Sequence, residues 1–145
     1  MKEIYFVVEG RVQPKQRPRV YRNKWTGQVH ALTPKATKDY EEQVKGAYLD
    51  ACDGKPKKFE GAVEMVVNVY VQIPKSAPKK KIDDMITGNI RPIVKNGDVD
   101  NLFKAISDAL NGLAYEDDSQ IVSAKIRKFY AREACAEVTI KELVK

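Results

Sequence analysis

The sequence predicts an α+β domain, a single mixed β-sheet with two main helices packed on it. Three observations point there. The length, 145 residues, suits one domain spanning 1–145. Two segments repeat apolar residues at helical spacing, and four others are rich in β-branched and aromatic residues. The two kinds follow the order strand, hairpin, helix, strand, short helix, helix, strand, strand, which neither an all-α nor an all-β chain shows. A chain of this size buries roughly two-thirds of its unfolded surface, enough for a real core.

"EIYFVVEGRV" opens the chain as a strand. "PKQRPRVYRNKWTGQVHALTP" has prolines that exclude a helix, and "NKWTG" reads as the turn of a short hairpin. A helix is expected from Thr33 and Pro34, with Thr33 as cap and Pro34 in the first helical position. Tyr40, Val44, Ala47 and Tyr48 form its apolar face, and "CDGKPKK" ends it. "GAVEMVVNVYVQIP" is a long β-branched run, expected as a central strand closed by Pro74. Ser76 can cap a short helix reaching about Thr87, with Gly88 past its end, and the stretch to Gly97 reads as loop. "DNLFKAISDALNGL" is the second strong helix, with Leu102, Ile106, Ala109, Leu110 and Leu113 on one side. "SQIVSAKIRKFYA" and "ACAEVTIKELV" are two strands joined by a turn near Arg132 and Glu133.

Composition narrows the class: 43% apolar and 32% charged is ordinary for a water-soluble domain. No apolar run approaches the ~20 residues of a membrane span, and the N-terminus carries Glu3 and Glu9 where a signal peptide would be apolar. The two cysteines, Cys52 and Cys135, stand far apart with no CxxC, so a disulfide framework or zinc site is not expected and a reducing cytoplasm fits. The net charge of +6 points toward a polyanionic partner.

Against that basic background, six acids and one base fall between Asp98 and Asp118. Asp98 and Asp100 are two apart, so in an extended chain they point the same way and repel unless a cation joins them. The plainer alternative is that Asp100 caps the helix. Asp100, Lys104 and Asp108, spaced by four, fall on the face opposite the apolar stripe. Lys104 is then either half of a surface ion pair with Asp100 or a cation lining a site. "YEDDSQIV" adds a second acidic cluster at the entry of a strand, with one of Asp117 and Asp118 facing the site. Carboxylates from two segments make a hard oxygen site of the kind Mg²⁺ takes.

"DVDNLFKAISDALNG…YEDDSQIV" resembles the active-site signature of RusA-type Holliday junction resolvases: Asp-x-Asp-Asn-Leu-x-Lys, a helix ending in Asp-Ala-Leu, then Asp-Asp-x-Gln-Val/Ile. The match covers residues 98 to 122, and "PKQRPRV" and "TPKATKDYE" are similar to the basic segment of the bacterial and phage branch. Gly97 stands where relatives commonly have proline. The resemblance implies that Asp98, Asp100 and Asp118 are metal-site carboxylates and Lys104 the catalytic lysine. It also implies a homodimer that nicks four-way DNA junctions with Mg²⁺, one nick per subunit, in recombination and repair.

From Arg11 to Lys35 there are seven Lys/Arg and no Asp/Glu, and "PKKK" ends at Lys81. Beside a metal-nuclease motif, these runs nominate Lys15, Arg17, Arg19, Arg22, Lys24, Lys79, Lys80 and Lys81 as DNA contacts. Trp25, at the hairpin tip, can stack on unpaired bases or pack over a sheet edge. His30, the single histidine, reads as a hairpin residue. A broader nuclease for flaps and forks, or a module that binds branched DNA without cutting, are the alternatives.

Overall fold

The computed structural model describes residues 2–16, 19–93 and 97–143. Ten elements follow one another. They are β1 (Glu3–Glu9), β2 (Arg19–Arg22), β3 (Val29–Leu32), α1 (Lys35–Ala51), β4 (Val63–Gln72), α2 (Lys79–Thr87), α3 (Val99–Ala109), a one-turn 3-10 helix (Asp118–Gln120), β5 (Ile121–Ala131) and β6 (Cys135–Glu142).

Four strands form one mixed sheet in the order β1-β6-β4-β5. β6 is antiparallel to both β1 and β4, whereas β5 runs parallel to β4. Parallel neighbours need a crossover, and α2 and α3 supply it between β4 and β5. The turn after β5 is therefore not that of a hairpin. It steps across the end of β4, so β5 and β6 flank β4 on opposite sides.

One sheet face makes the core. Ile4, Phe6 and Val8 of β1, Val63, Met65, Val67 and Val69 of β4, and Ala136, Val138 and Ile140 of β6 are buried at alternate positions, as a one-sided sheet requires. Tyr40, Val44 and Tyr48 of α1 and Leu102, Ala105, Ile106 and Ala109 of α3 close over them in the same cluster. Each Val, Leu, Ile, Phe or Met among them contributes about 1.5–3 kcal/mol of burial. Most of both expected helical faces is thus buried; Ala47 and Leu113 are only partly so, and Leu113 lies past the end of α3 at Ala109.

Several local expectations are corrected. Pro34 is the N-cap of α1, not its first helical residue, and Thr33 does not cap it. The short helix, α2, starts at Lys79 after Pro78, so Ser76 lies outside it. Its end is as expected: Gly88 takes a left-handed conformation, φ 88°. α3 starts one residue early, at Val99 with Asp98 as N-cap, and Asp100 stands in its first turn. The alternation that would align Asp98 and Asp100 in an extended chain is therefore absent. β2 and β3 form a separate two-stranded sheet. At its tip Asn23 Oδ1 accepts from the amides of Trp25 and Thr26, an Asx turn that holds Trp25 outward, 95% exposed. Trp25 does not pack over a sheet edge.

Candidate active site

The site is built on α3. Its apolar face is locked into the core, so the opposite face is turned to solvent with Asp100 and Lys104 exposed and Asp108 half-buried. Lys104 Nζ lies 3.5 Å from Asp108 Oδ2, and no ion pair joins it to Asp100. Asp98 and Asp100 make no ion pair among the described residues.

The segment from α3 to β5 brings Asp118 back beside the helix. Tyr115 is fully buried and donates its hydroxyl to Ser107 O at 2.6 Å, which ties this return to α3. Burial, then the Asp118 and Asp108 charges, push its phenol far up, so it stays neutral. Gln120 clamps the next turn. Its amide donates to Phe59 O and Gly61 O, while its Oε1 accepts from the amides of Glu116 and Asp117. Asp117 forms a capping box with Gln120 and also accepts from Ser119 N, and bonds to Ser119 hold its carboxyl below the usual range. Asp117 therefore builds the turn and Asp118 faces the site.

Asp118 meets Asp108 in hydrogen-bonding contact. Burial first, then that contact and the charges of Asp108 and Asp117, push its carboxyl above the usual range, while Lys104 pulls it back. A cleft of about 300 Å³ opens here, lined by Phe103, Lys104, Ser107, Asp118, Ile121 and Ala124. A second cleft, of about 570 Å³, is lined by Arg91, Pro92, Ile93, Asp98, Val99 and Lys128. Both take their walls from α3 and β5, so Asp98 and Asp118 mark opposite ends of one seam.

Carboxylate oxygens suit a hard cation in kind. In geometry the three expected ligands do not meet, and no group of three His, Cys, Asp or Glu among the described residues converges on one point. The reason is the helix itself: ten residues of α3 separate Asp98 from the level of Asp108, about 15 Å of rise. Mg²⁺ needs its oxygens at about 2.0–2.1 Å. A cation held by Asp98 and Asp100 at one end of α3 is thus not shared with Asp118 at the other in this arrangement.

Ile93 and Gly97, on the approach to Asp98, are held by a residue the sequence does not single out. Lys128 Nζ donates to Ile93 O at 3.1 Å and Gly97 O at 2.9 Å, and Arg91 Nε donates to Lys128 O at 2.6 Å. The Arg91 guanidinium also lies 4.0 Å over the Phe129 ring. Such ties depend on the parallel pairing of β4 and β5, which no local pattern reveals.

The basic residues divide. Arg22, Lys24, Lys79, Lys80 and Lys81 are exposed and make no ion pair among the described residues. Lys15 is different: its ammonium lies 3.4 Å from Glu41 and 3.5 Å from Asp108. Arg17 and the side chain of Arg19 lie outside the described residues. His30 sits in β3 and stacks on Tyr21, away from the carboxylates, as a hairpin residue should.

Comparison with known proteins adds the family. The chain is 41% identical over 144 residues to the "Uncharacterized protein YqaN" of Bacillus subtilis (strain 168), covering 97% of this chain and 96% of that protein. Among solved structures, 2C-methyl-D-erythritol 2,4-cyclodiphosphate synthase from Plasmodium vivax aligns with 96% of this chain and 93% of its own. That alignment has 14% identity and a TM-score of 0.27, too slight a likeness to carry an argument. No helix among the described residues is long and apolar enough to cross a membrane. Residues 9–141, nearly the whole chain with both ends of the α3 seam inside it, match the family model Endodeoxyribonuclease RusA, and the chain belongs to that family.

Proposed function

We propose that this protein is a Mg²⁺-dependent endonuclease that resolves four-way DNA junctions by paired symmetric nicks in recombination and repair, acting as a homodimer with one site per subunit. The observation that carries the reading is the cleft shared by Lys104 and Asp118 on the solvent side of α3. A phosphodiester needs charge stabilisation on its phosphoryl oxygens and a positioned water. Lys104 is exposed enough to reach a phosphate and is held at the cleft by Asp108, so its charge is available where negative charge develops. In this reading Asp118, held against the helix, orients water at the same phosphate. Asp98 and Asp100 are exposed carboxylates without cation partners among the described residues. Mg²⁺, when bound by such oxygens, polarises phosphate and activates water.

The exposed cations of the hairpin and of α2 support a nucleic-acid partner. Lys79, Lys80 and Lys81 occupy the first turn of α2, where the helix dipole disfavours cations. A polyanion lying there reverses that cost. Two-fold symmetry in a dimer suits the two-fold symmetry of a junction.

The test is incubation with four-way junction, flap, fork and plain duplex, in Mg²⁺ and in EDTA. Symmetric nicks confined to the junction and lost in EDTA are expected. Cuts across all branched substrates would identify a broader nuclease, and binding without cuts a module. Lys104→Ala is expected to lower the cleavage rate by about 10²–10³ with little change in junction affinity. An unchanged rate would return Lys104 to a surface ion pair.

A further inference from the structure

We propose that Lys15 and Asp108 are positioning residues that set the ammonium of Lys104 at the Asp118 cleft, with the arm before the hairpin locked onto α3 to do so. The proposal rests on the nuclease reading, to which it adds a mechanism for aiming the lysine.

Four charges form a chain. Glu41 lies 3.4 Å from Lys15, Lys15 lies 3.5 Å from Asp108 Oδ2, and Lys104 lies 3.5 Å from that same oxygen. The side chains of Glu41, Lys15 and Asp108 are 19%, 20% and 17% exposed, and that of Lys104 59%. The chain thus runs from a sheltered end on α1 to an open end at the cleft, where Asp118 joins it at Asp108. A sheltered carboxylate like Asp108 is costly if left unpaired.

Lys15 is not a surface side chain that found a partner by chance. Its backbone amide donates to Asn101 O in α3 at 3.0 Å, and the next amide, of Gln16, donates to Thr37 Oγ1 in α1 at 3.4 Å. Its stem therefore starts from a fixed point between the two helices.

The shared oxygen decides what happens to Lys104. Alone, Asp108 at i+4 would fold the flexible lysine along the helix and neutralise it. With Lys15 on the same oxygen, that pull is divided. Both contacts are 3.5 Å, longer than the about 2.7–2.9 Å of a full charge-assisted hydrogen bond. Lys104 is tethered and its charge is left for a phosphate.

The experiment uses the full chain and a four-way junction. Single-turnover cutting at saturating protein, junction affinity in EDTA and thermal unfolding are measured for wild type, Lys15→Met, Lys15→Arg, Asp108→Asn and Lys15→Met/Asp108→Asn. Lys15→Met is expected to slow cutting about ten- to a hundredfold, as a misaimed group does. Affinity should stay within about twofold, since the phosphate contacts lie elsewhere. Lys15→Arg, which keeps the charge, should recover most of the rate. The double variant should be no slower than Asp108→Asn alone, because both act through one oxygen.

An independent reading follows the NMR signal of ¹³C-methylated Lys104, identified by its loss in Lys104→Arg; Lys15→Met should shift it. Parallel losses of rate and affinity with a shallower salt slope would make Lys15 a phosphate contact and overturn the proposal. Additive losses, or a lowered unfolding temperature with normal cutting, would make it merely structural and overturn it too. If wild type cuts no junction, the nuclease reading fails by itself. The Lys104 signal then still decides whether Lys15 sets the lysine.

Discussion

At the scale of single residues, Glu137 shows how one carboxylate organises the open sheet face. The hydroxyls of Tyr5 and Tyr70 donate to it at 2.6 and 2.7 Å. Those bonds hold its carboxyl below the usual range, against the effect of burial. The phenols are pushed up to about 12, Tyr5 mainly by the Glu137 bond and Tyr70 mainly by burial. A depressed carboxylate contributes stability above its unfolded value of 4.5 that is lost as pH falls through the folded value. Raised phenols contribute stability below 10.0 that is lost as pH rises toward 12. The cluster therefore supports a plateau bounded on both sides. Glu137→Gln should flatten the acid limb, so that its urea midpoint falls less than that of wild type between about pH 5 and 3; parallel curves would remove Glu137 from the acid response. The carboxylates proposed for the site call for the opposite test. Asp98→Asn, Asp100→Asn and Asp118→Asn should each abolish cutting in a gel assay and keep the fold, because an amide is a poor ligand for a hard cation. Junction binding in EDTA should persist or tighten, as negative charge facing phosphate is gone, and near-normal cutting would remove that residue from the site. These three positions and Lys104 could be nominated from the sequence because the signature that carries them is compact, within residues 98 to 118. The roles of Lys15, Gln120, Tyr115 and Lys128 were not legible, because each acts on an element distant in sequence.

At the scale of elements, the entry to α3 depends on close contact between two loops. Gly97 has φ 88°, and a Cβ built there lies 3.2 Å from Pro14 Cβ and 3.3 Å from Pro14 Cγ. Its carbonyl is one of the two that Lys128 holds. A side chain is thus opposed twice, by the left-handed backbone and by Pro14. Gly97→Ala should destabilise the fold by about 1–2 kcal/mol from the backbone alone, read by denaturant unfolding. It should also slow cutting by displacing Asp98; a variant as stable and as active as wild type would show that this approach is loose. The helices themselves were legible from apolar spacing, although α3 stops at Ala109 and leaves Leu113 beyond its end. Their starts were less so. Thr33 and Ser76 have good capping chemistry, yet Pro34 and Pro78 take the N-cap positions. Proline fixes φ and holds each cap in an extended conformation, and no side-chain bond forms at either. The strand order also lay beyond the sequence, since a three-residue turn after β5 normally marks a hairpin, and here it spans the end of β4 instead.

At the scale of the molecule, the proposed chemistry and the proposed grip are separated. The carboxylates lie along the α3 seam, and the exposed cations lie on the hairpin and the start of α2. The hairpin is unusual as a free element: Val20, Tyr21, Trp25, Val29 and Leu32 are all more than half exposed. A two-stranded sheet of this kind is marginal in water by itself. Its exposed aromatic and basic residues match a surface of bases and phosphates, and this leads to a prediction with two separable parts. If Arg19, Arg22, Lys24 and their neighbours in a dimer neutralise about six phosphates, log K against log[salt] has a slope of about −5. Binding should then weaken about a thousandfold between roughly 50 and 200 mM salt. Replacing Arg19 and Arg22 with alanine should flatten that slope and weaken junction and duplex binding together, since both carry the same backbone. Trp25→Ala should act differently. At 95% exposure the ring supports no packing, so the unfolding temperature should not move. Stacking needs accessible bases, which a junction centre offers and a duplex does not, so junction binding should lose roughly 1–3 kcal/mol while duplex binding holds. Titrations of both DNAs at two salt concentrations separate the parts. Equal loss on both substrates would mean that Trp25 does not read the junction. A slope near zero would mean that the hairpin cations do not meet phosphate.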